Sequence, residues 1–122
     1  MSARFELVFD GSGKFHFDLR APEGNVLLSG LPCESKVMVE DDVLRARNAL
    51  RDDSRMVAHH VDNGRHFVVI KARNGTVLAR SPQVTSDAQL TELIERIHLA
   101  AAHAPLADLT SPPRPRPEAW LG

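Results

Sequence analysis

His59, His60 and His66 stand close together in the chain. Imidazole is a common ligand for transition metals, so this is the first place to look for chemistry. The spacing argues against a metal. Neighbouring residues of a strand point to opposite faces, so His59 and His60 do not readily share one ion, and the pattern matches no zinc motif. Cys33 is the only cysteine and stands just before an expected helix, where a thiol can become nucleophilic. No Cys-His-acid arrangement is readable around it. His98 and His103 flank the end of a second expected helix, where they suit its dipole. Glu40, Asp41 and Asp42 read as a solvated helix start. The glycine turns are hairpin turns, because none stands between a strand and a helix as a phosphate loop must. No catalytic residue, metal site or cofactor is expected.

The elements that carry these residues are written twice. KFHFDLRAPEGNVLL begins at Lys14 and RHFVVIKARNGTVLA at Arg65, a displacement of 51 residues. The same displacement pairs Gly24 with Gly75, Ala21 with Ala72, Ser35 with Ser86 and Arg45 with Arg96. It pairs His60 with Phe9, His66 with Phe15, and Cys33 with Val84. The two histidines therefore read as the edge of a sheet core, and Cys33 as a small packing position.

Each unit reads as three strands and a helix. Phe5, Leu7 and Phe9 alternate with polar or outward positions, as do Phe15, Phe17 and Leu19. Asp10-Gly11-Ser12-Gly13 turns the chain between them. Pro22-Glu23-Gly24-Asn25 leads to a third strand at residues 26–29. The second unit repeats this at residues 55–61, 66–72 and 76–80, with Asn74-Gly75 as a hairpin signal. Ser35 is an expected N-cap, after which Val39, Val43, Ala46 and Leu50 fall on one helical face. Ser86-Asp87-Ala88-Gln89 has the form of a capping box, followed by a stripe of Leu90, Leu93, Ile94, Ile97 and Ala101. Glu40, Asp41 and Asp42 early, with Arg45, Arg47 and Arg51 late, suit the dipole of the first helix.

With these motifs together, GKFHFDLRAPEGNVL and GRHFVVIKARNGTVLARS, each followed by a serine and a helix, the chain resembles the YegP-like family of small bacterial tandem-repeat proteins of unknown function. Asp108-Leu109-Thr110 stands where tandem members of that family close with a strand. The resemblance covers residues 3–110. It implies a β-β-β-α-β unit used twice around one sheet, and it brings no established activity. The chain departs from the pattern at Glu23, where an asparagine is usual. Cys33 and Val84 replace an aromatic before each helix, and there is no tyrosine.

The expected fold is α+β: two tandem β-β-β-α(-β) repeats sharing one antiparallel sheet, with two helices packed on one face. Residues 1–110 form a single domain of two repeats, 3–53 and 54–110, and residues 111–122 a Pro/Arg-rich tail. A length of 122 residues suits one such domain. The net charge of −1 argues against a nucleic-acid partner. Such a role would need Arg4, Lys14, Arg20, Arg55, Arg65 and Lys71 on one face. No run approaches the ~20 apolar residues that span a bilayer, and no signal peptide is visible. A cytoplasmic location is expected.

The functional expectation is a non-enzymatic binding or assembly module. One alternative is a small-molecule or metal-dependent enzyme using the histidines and Cys33, and another is a weak nucleic-acid binder. In the first unit the strand positions opposite the core are Glu6, Asp10, His16, Asp18 and Arg20, a surface suited to water. Their counterparts are Val57, Val61, Phe67, Val69 and Lys71. Strands apolar on both faces are normally covered on both. Val57, Val61, Phe67 and Val69, with Trp120 of the tail, form the candidate interface. Self-association as a homodimer is the expected use, with an unidentified protein partner as the alternative.

Overall fold

The computed structural model describes residues 2–52 and 55–110. The strands are β1 (Arg4–Phe9), β2 (Phe15–Arg20), β3 (Val26–Gly30), β4 (Met56–His60), β5 (His66–Lys71), β6 (Val77–Arg80) and β7 (Leu106–Asp108). The helices are α1 (Lys36–Ala49), between β3 and β4, and α2 (Asp87–Ala101), between β6 and β7.

Local chemistry accounts for the turns and helix starts. In the β5–β6 turn, Asn74 Oδ1 accepts the Thr76 amide at 3.0 Å. Gly75 adopts φ 84°, a conformation that costs a side-chain-bearing residue energy. Ser35 and Ser86 are both extended, and their hydroxyls accept the amides of Met38 and Gln89. The capping box of α2 is displaced by one residue. Gln89 Oε1 accepts from the amide and hydroxyl of Thr85, at 2.9 and 3.0 Å, rather than from Ser86. In α1 the acidic triplet misses the helix start. The helix begins at Lys36 and carries no acid in its first turn. Two of the three instead make side-chain contacts: Asp41 with Arg45 at 3.0 Å, and Asp42 with Cys33.

The strands form one sheet in the order β4-β5-β6-β3-β2-β1-β7. Two three-stranded meanders meet at β3 and β6 through only two residue pairs, Ser29–Arg80 and Gly30–Ala79. The expectation of a wholly antiparallel sheet is corrected at one edge, where β7 runs parallel to β1. Helix α2 carries the chain back across the sheet before β7, and a strand reached by such a crossover is free to lie parallel to its neighbour.

Phe5, Leu7, Phe17, Leu19, Val68 and Ile70 share one core with Val39, Val43 and Ala46 of α1 and Leu93 and Ile97 of α2. These strand residues all lie on one face of the sheet, so both helices cover that face. Neither helix stays with its own meander. Helix α1 packs on β1 and β2 and also on β5 and β6, whereas α2 packs on β1, β2 and β3 and also on β5. The helices thus tie together two meanders whose strand-to-strand seam is short.

Candidate functional site

A continuous row crosses the helix-free face. Ala107, Glu6, Asp18, Ser29, Arg80, Val69 and Val57 are successive partners from β7 to β4. Its first half is charged but not open to water as expected. Glu6 is 5 % exposed and Asp18 7 %. Arg4 Nε and Arg20 Nε donate to the two oxygens of Glu6, at 2.7 and 2.5 Å. Ser29 Oγ donates to Asp18 at 2.8 Å, and His16 Nε2 lies 3.3 Å from the same carboxylate. Cross-strand charges lying flat on a sheet shield one another from solvent. Burial alone would raise the carboxyl pKa of Glu6, but its two arginines outweigh that and hold it below the usual value.

The second half of the row is apolar. Val57 and Phe67 are half-buried, and Val69, flanked by Val57 and Arg80, is 5 % exposed. Phe67 stacks on His59, with ring centroids 5.0 Å apart and planes 7° from parallel. Val61 lies past the end of β4, in the turn, and is 43 % exposed. Among the described residues no helix packs against this face. Trp120 and the tail lie outside the described residues.

His60 and His66 do meet, as directly opposed partners in the β4–β5 ladder. Their Nδ1 atoms are 2.6 Å apart. Asp87, the first residue of α2, comes within 3.8 Å of His66 Nε2. One ligand atom from each of the three residues falls within 4.8 Å of the others. His59 points away, as strand alternation requires. The link from His66 to Asp87 was not legible in sequence. It depends on the paired backbone hydrogen bonds between His66 and Val84, both 2.8 Å, which bring the start of α2 to the end of β5.

Cys33 makes the corresponding bridge with Phe15 and so stands in the other half of the sheet. It is 8 % exposed, and its Sγ lies 3.2 Å from Asp42 Oδ2. Burial, reinforced by that carboxylate, raises its pKa to about 11. A thiol held protonated in this way is a poor nucleophile.

Four of the six basic residues that a nucleic-acid face would need are held by other side chains. Arg4 and Arg20 are engaged by Glu6. Lys14 pairs with Glu34 at 3.5 Å, and Arg65 donates to Gln83 at 3.3 Å. Arg55 instead joins a set that does converge. Arg45, Asn48 and Arg51 of the first helix and its end, with Arg55, Ala72, Arg73 and Asn74, line a cleft of about 630 Å³. The i, i+3 spacing of Arg45, Asn48 and Arg51 was a signal available in the sequence, but nothing there tied Arg73 to them.

No family model matches the chain. It is similar to UPF0339 protein PA0329 of Pseudomonas aeruginosa, at 28 % identity over 108 residues, covering 88 % of this chain and 98 % of that protein. It is similar also to UPF0339 protein YegP of Yersinia pestis, at 24 % identity over 106 residues, covering 87 % and 95 %. These relatives bear out the resemblance to the YegP-like family. The YegP-like fold is equally plain in solved structures. The solution structure of Escherichia coli yegP, a protein of unknown function, matches with a TM-score of 0.84 at 21 % identity, covering 92 % of this chain and 97 % of that one. That of UPF0339 protein SO3888 from Shewanella oneidensis gives 0.83 at 21 % identity, covering 89 % and 92 %. These YegP-like relatives bring a shared fold without a described activity. No helix among the described residues is long and apolar enough to cross a membrane.

Proposed function

We propose that this YegP-like chain is a non-enzymatic binding module, built of two tandem repeats, that self-associates through the second half of its helix-free face. The observation that carries this reading is the asymmetry of that face. Val57, Phe67 and Val69 occupy the positions where the first half has Glu6, His16 and Asp18. There the polar groups close on one another, whereas here apolar groups are left without a covering helix. Such a patch is a contact surface by default. A second copy presents the same patch, and twofold pairing is the commonest closed arrangement. Light scattering across a wide concentration range tests it, comparing wild type with a Val57→Thr, Phe67→Lys variant. Both side chains are only half-buried, so the fold tolerates the change. Conversion of dimers to monomers supports the reading, and an oligomeric state unaltered by the substitutions overturns it.

One observation favours a second reading, a metal-dependent role. His60, His66 and Asp87 offer two imidazoles and a carboxylate, a set suited to Zn²⁺ or a similar divalent ion. Zn²⁺ titration separates the readings. Binding that is lost in a His60→Phe, His66→Phe variant, which copies the Phe9–Phe15 pair, supports the metal role. Binding that survives those changes, or no binding at all, removes it.

A further inference from the structure

The arginine-lined cleft has a counterpart elsewhere in the molecule. Displaced by 51 residues, the positions of Arg45, Asn48, Ala72, Arg73 and Asn74 are those of Arg96, Leu99, Ala21, Pro22 and Glu23. These five residues line a second cleft, between α2 and the β2–β3 turn. There the one arginine is neutralised, because Arg96 forms an ion pair with Glu23. The rest of the shared lining is apolar. In the first cleft the acid is replaced by Asn74, and Arg73 takes the place of proline. Arg51 stands where the other half has Ala102, so this scaffold does not itself require arginines.

Four guanidinium groups meet in the first cleft. Arg45 is paired with Asp41 at 3.0 Å and Arg55 with Asp52 at 3.4 Å. Both carboxylates are about half exposed, and such pairs contribute little and exchange readily. Among the described residues, Arg51 and Arg73 have no carboxylate partner. The helix dipole gives a reason for arginines near the end of α1, but it does not reach Arg73 in the β5–β6 turn. Nor does the end of α2 use an arginine at the place of Arg51, where Ala102 stands.

We propose that this cleft binds the diphosphate group of a small phosphorylated ligand. Guanidinium forks match phosphate oxygens in geometry and charge. Two arginines with no carboxylate partner among the described residues, with two more able to turn inward from their carboxylates, suit an anion bearing more than one phosphate. A volume of about 630 Å³ lies within the usual range of small-molecule sites. A concave cleft on a chain of net charge −1 fits a compact anion better than the extended phosphate track of a nucleic acid.

The test is calorimetric titration with inorganic pyrophosphate and with inorganic phosphate at low ionic strength. Two variants of the full chain accompany the wild type. Asn74→Glu installs the acid that the second cleft uses at the same turn position. Arg51→Ala with Arg73→Ala removes two of the four guanidinium groups, both on exposed side chains. The expected result is saturable pyrophosphate binding, at least tenfold tighter than phosphate. Each variant is expected to weaken it tenfold or more while melting within a few degrees of wild type. Absence of saturable pyrophosphate binding near 1 mM overturns the proposal, as does affinity unchanged in the arginine double variant. Binding confined to single-stranded oligonucleotides, with none to pyrophosphate, also overturns it and points instead to a nucleic-acid surface.

Discussion

Gly30 lies directly against the ring of Phe17: a β-carbon on Gly30 would come within 2.5 Å of Phe17 Cδ1 and Cε1. The corresponding pair in the second half is Ser81 and Val68. There the smaller valine leaves room for a side chain, and Ser81 Oγ accepts the Val68 amide at 2.9 Å. Each half fills the same space with a different division of volume.

Gly30→Ala is therefore expected to destabilise the fold by about 1–3 kcal/mol, the usual penalty of overpacking. Adding Phe17→Val should make the double variant less destabilised than the sum of the single ones, because the two side chains compete for one volume. Urea denaturation of the four proteins checks this. Strict additivity would show that the contact relaxes without cost.

The Glu6 carboxylate gives a pH dependence of known sign. Its pKa is lower in the folded state than its ordinary value of 4.5. The stability it contributes is therefore present above that value and lost as pH falls through the folded pKa. Glu6→Gln should cost roughly 1–2 kcal/mol at pH 7, tempered because Arg4 and Arg20 are about one-third exposed and can find water. The difference from wild type should shrink as the pH is taken well below 4.5, through the folded pKa. Equal losses at neutral and at low pH would mean that packing, not charge, is responsible.

Cys33 should react slowly in the native protein. A thiol with its pKa raised from 9.0 to about 11 holds about a hundredfold less thiolate at neutral pH. Modification with a chromogenic disulfide reagent at pH 7.5 should be slow until the chain is unfolded. Asp42→Asn, which removes the neighbouring negative charge, should speed it. Rapid labelling of the folded wild type would contradict the buried, acid-paired thiol.

Expression of residues 1–53 alone tests how the halves depend on each other. Helix α1 packs partly on β5 and β6, and α2 covers part of β1, β2 and β3. The isolated piece lacks α2 and exposes the edge of β3. It should be unfolded, or should dimerise so that a second copy replaces the missing half. A monomeric fragment with a cooperative unfolding transition would refute this.

What the sequence determined by itself was local. The glycine turns, the serine caps, the strand alternation and the apolar helix faces act over a few residues of backbone, and each appears where its residues stand. The Phe15–Cys33 and His66–Val84 bridges stand 51 residues apart. Tertiary structure decided what depends on chain segments meeting. The direction of β7 follows from the path of α2. The burial of Glu6 needs Arg20 from the neighbouring strand, and the approach of Asp87 to His66 needs the start of α2 beside β5. The arginine cleft joins the end of α1 to a turn in the other half. None of these has a complete local signature, because each joins side chains distant in sequence, brought together only when both helices close over the sheet.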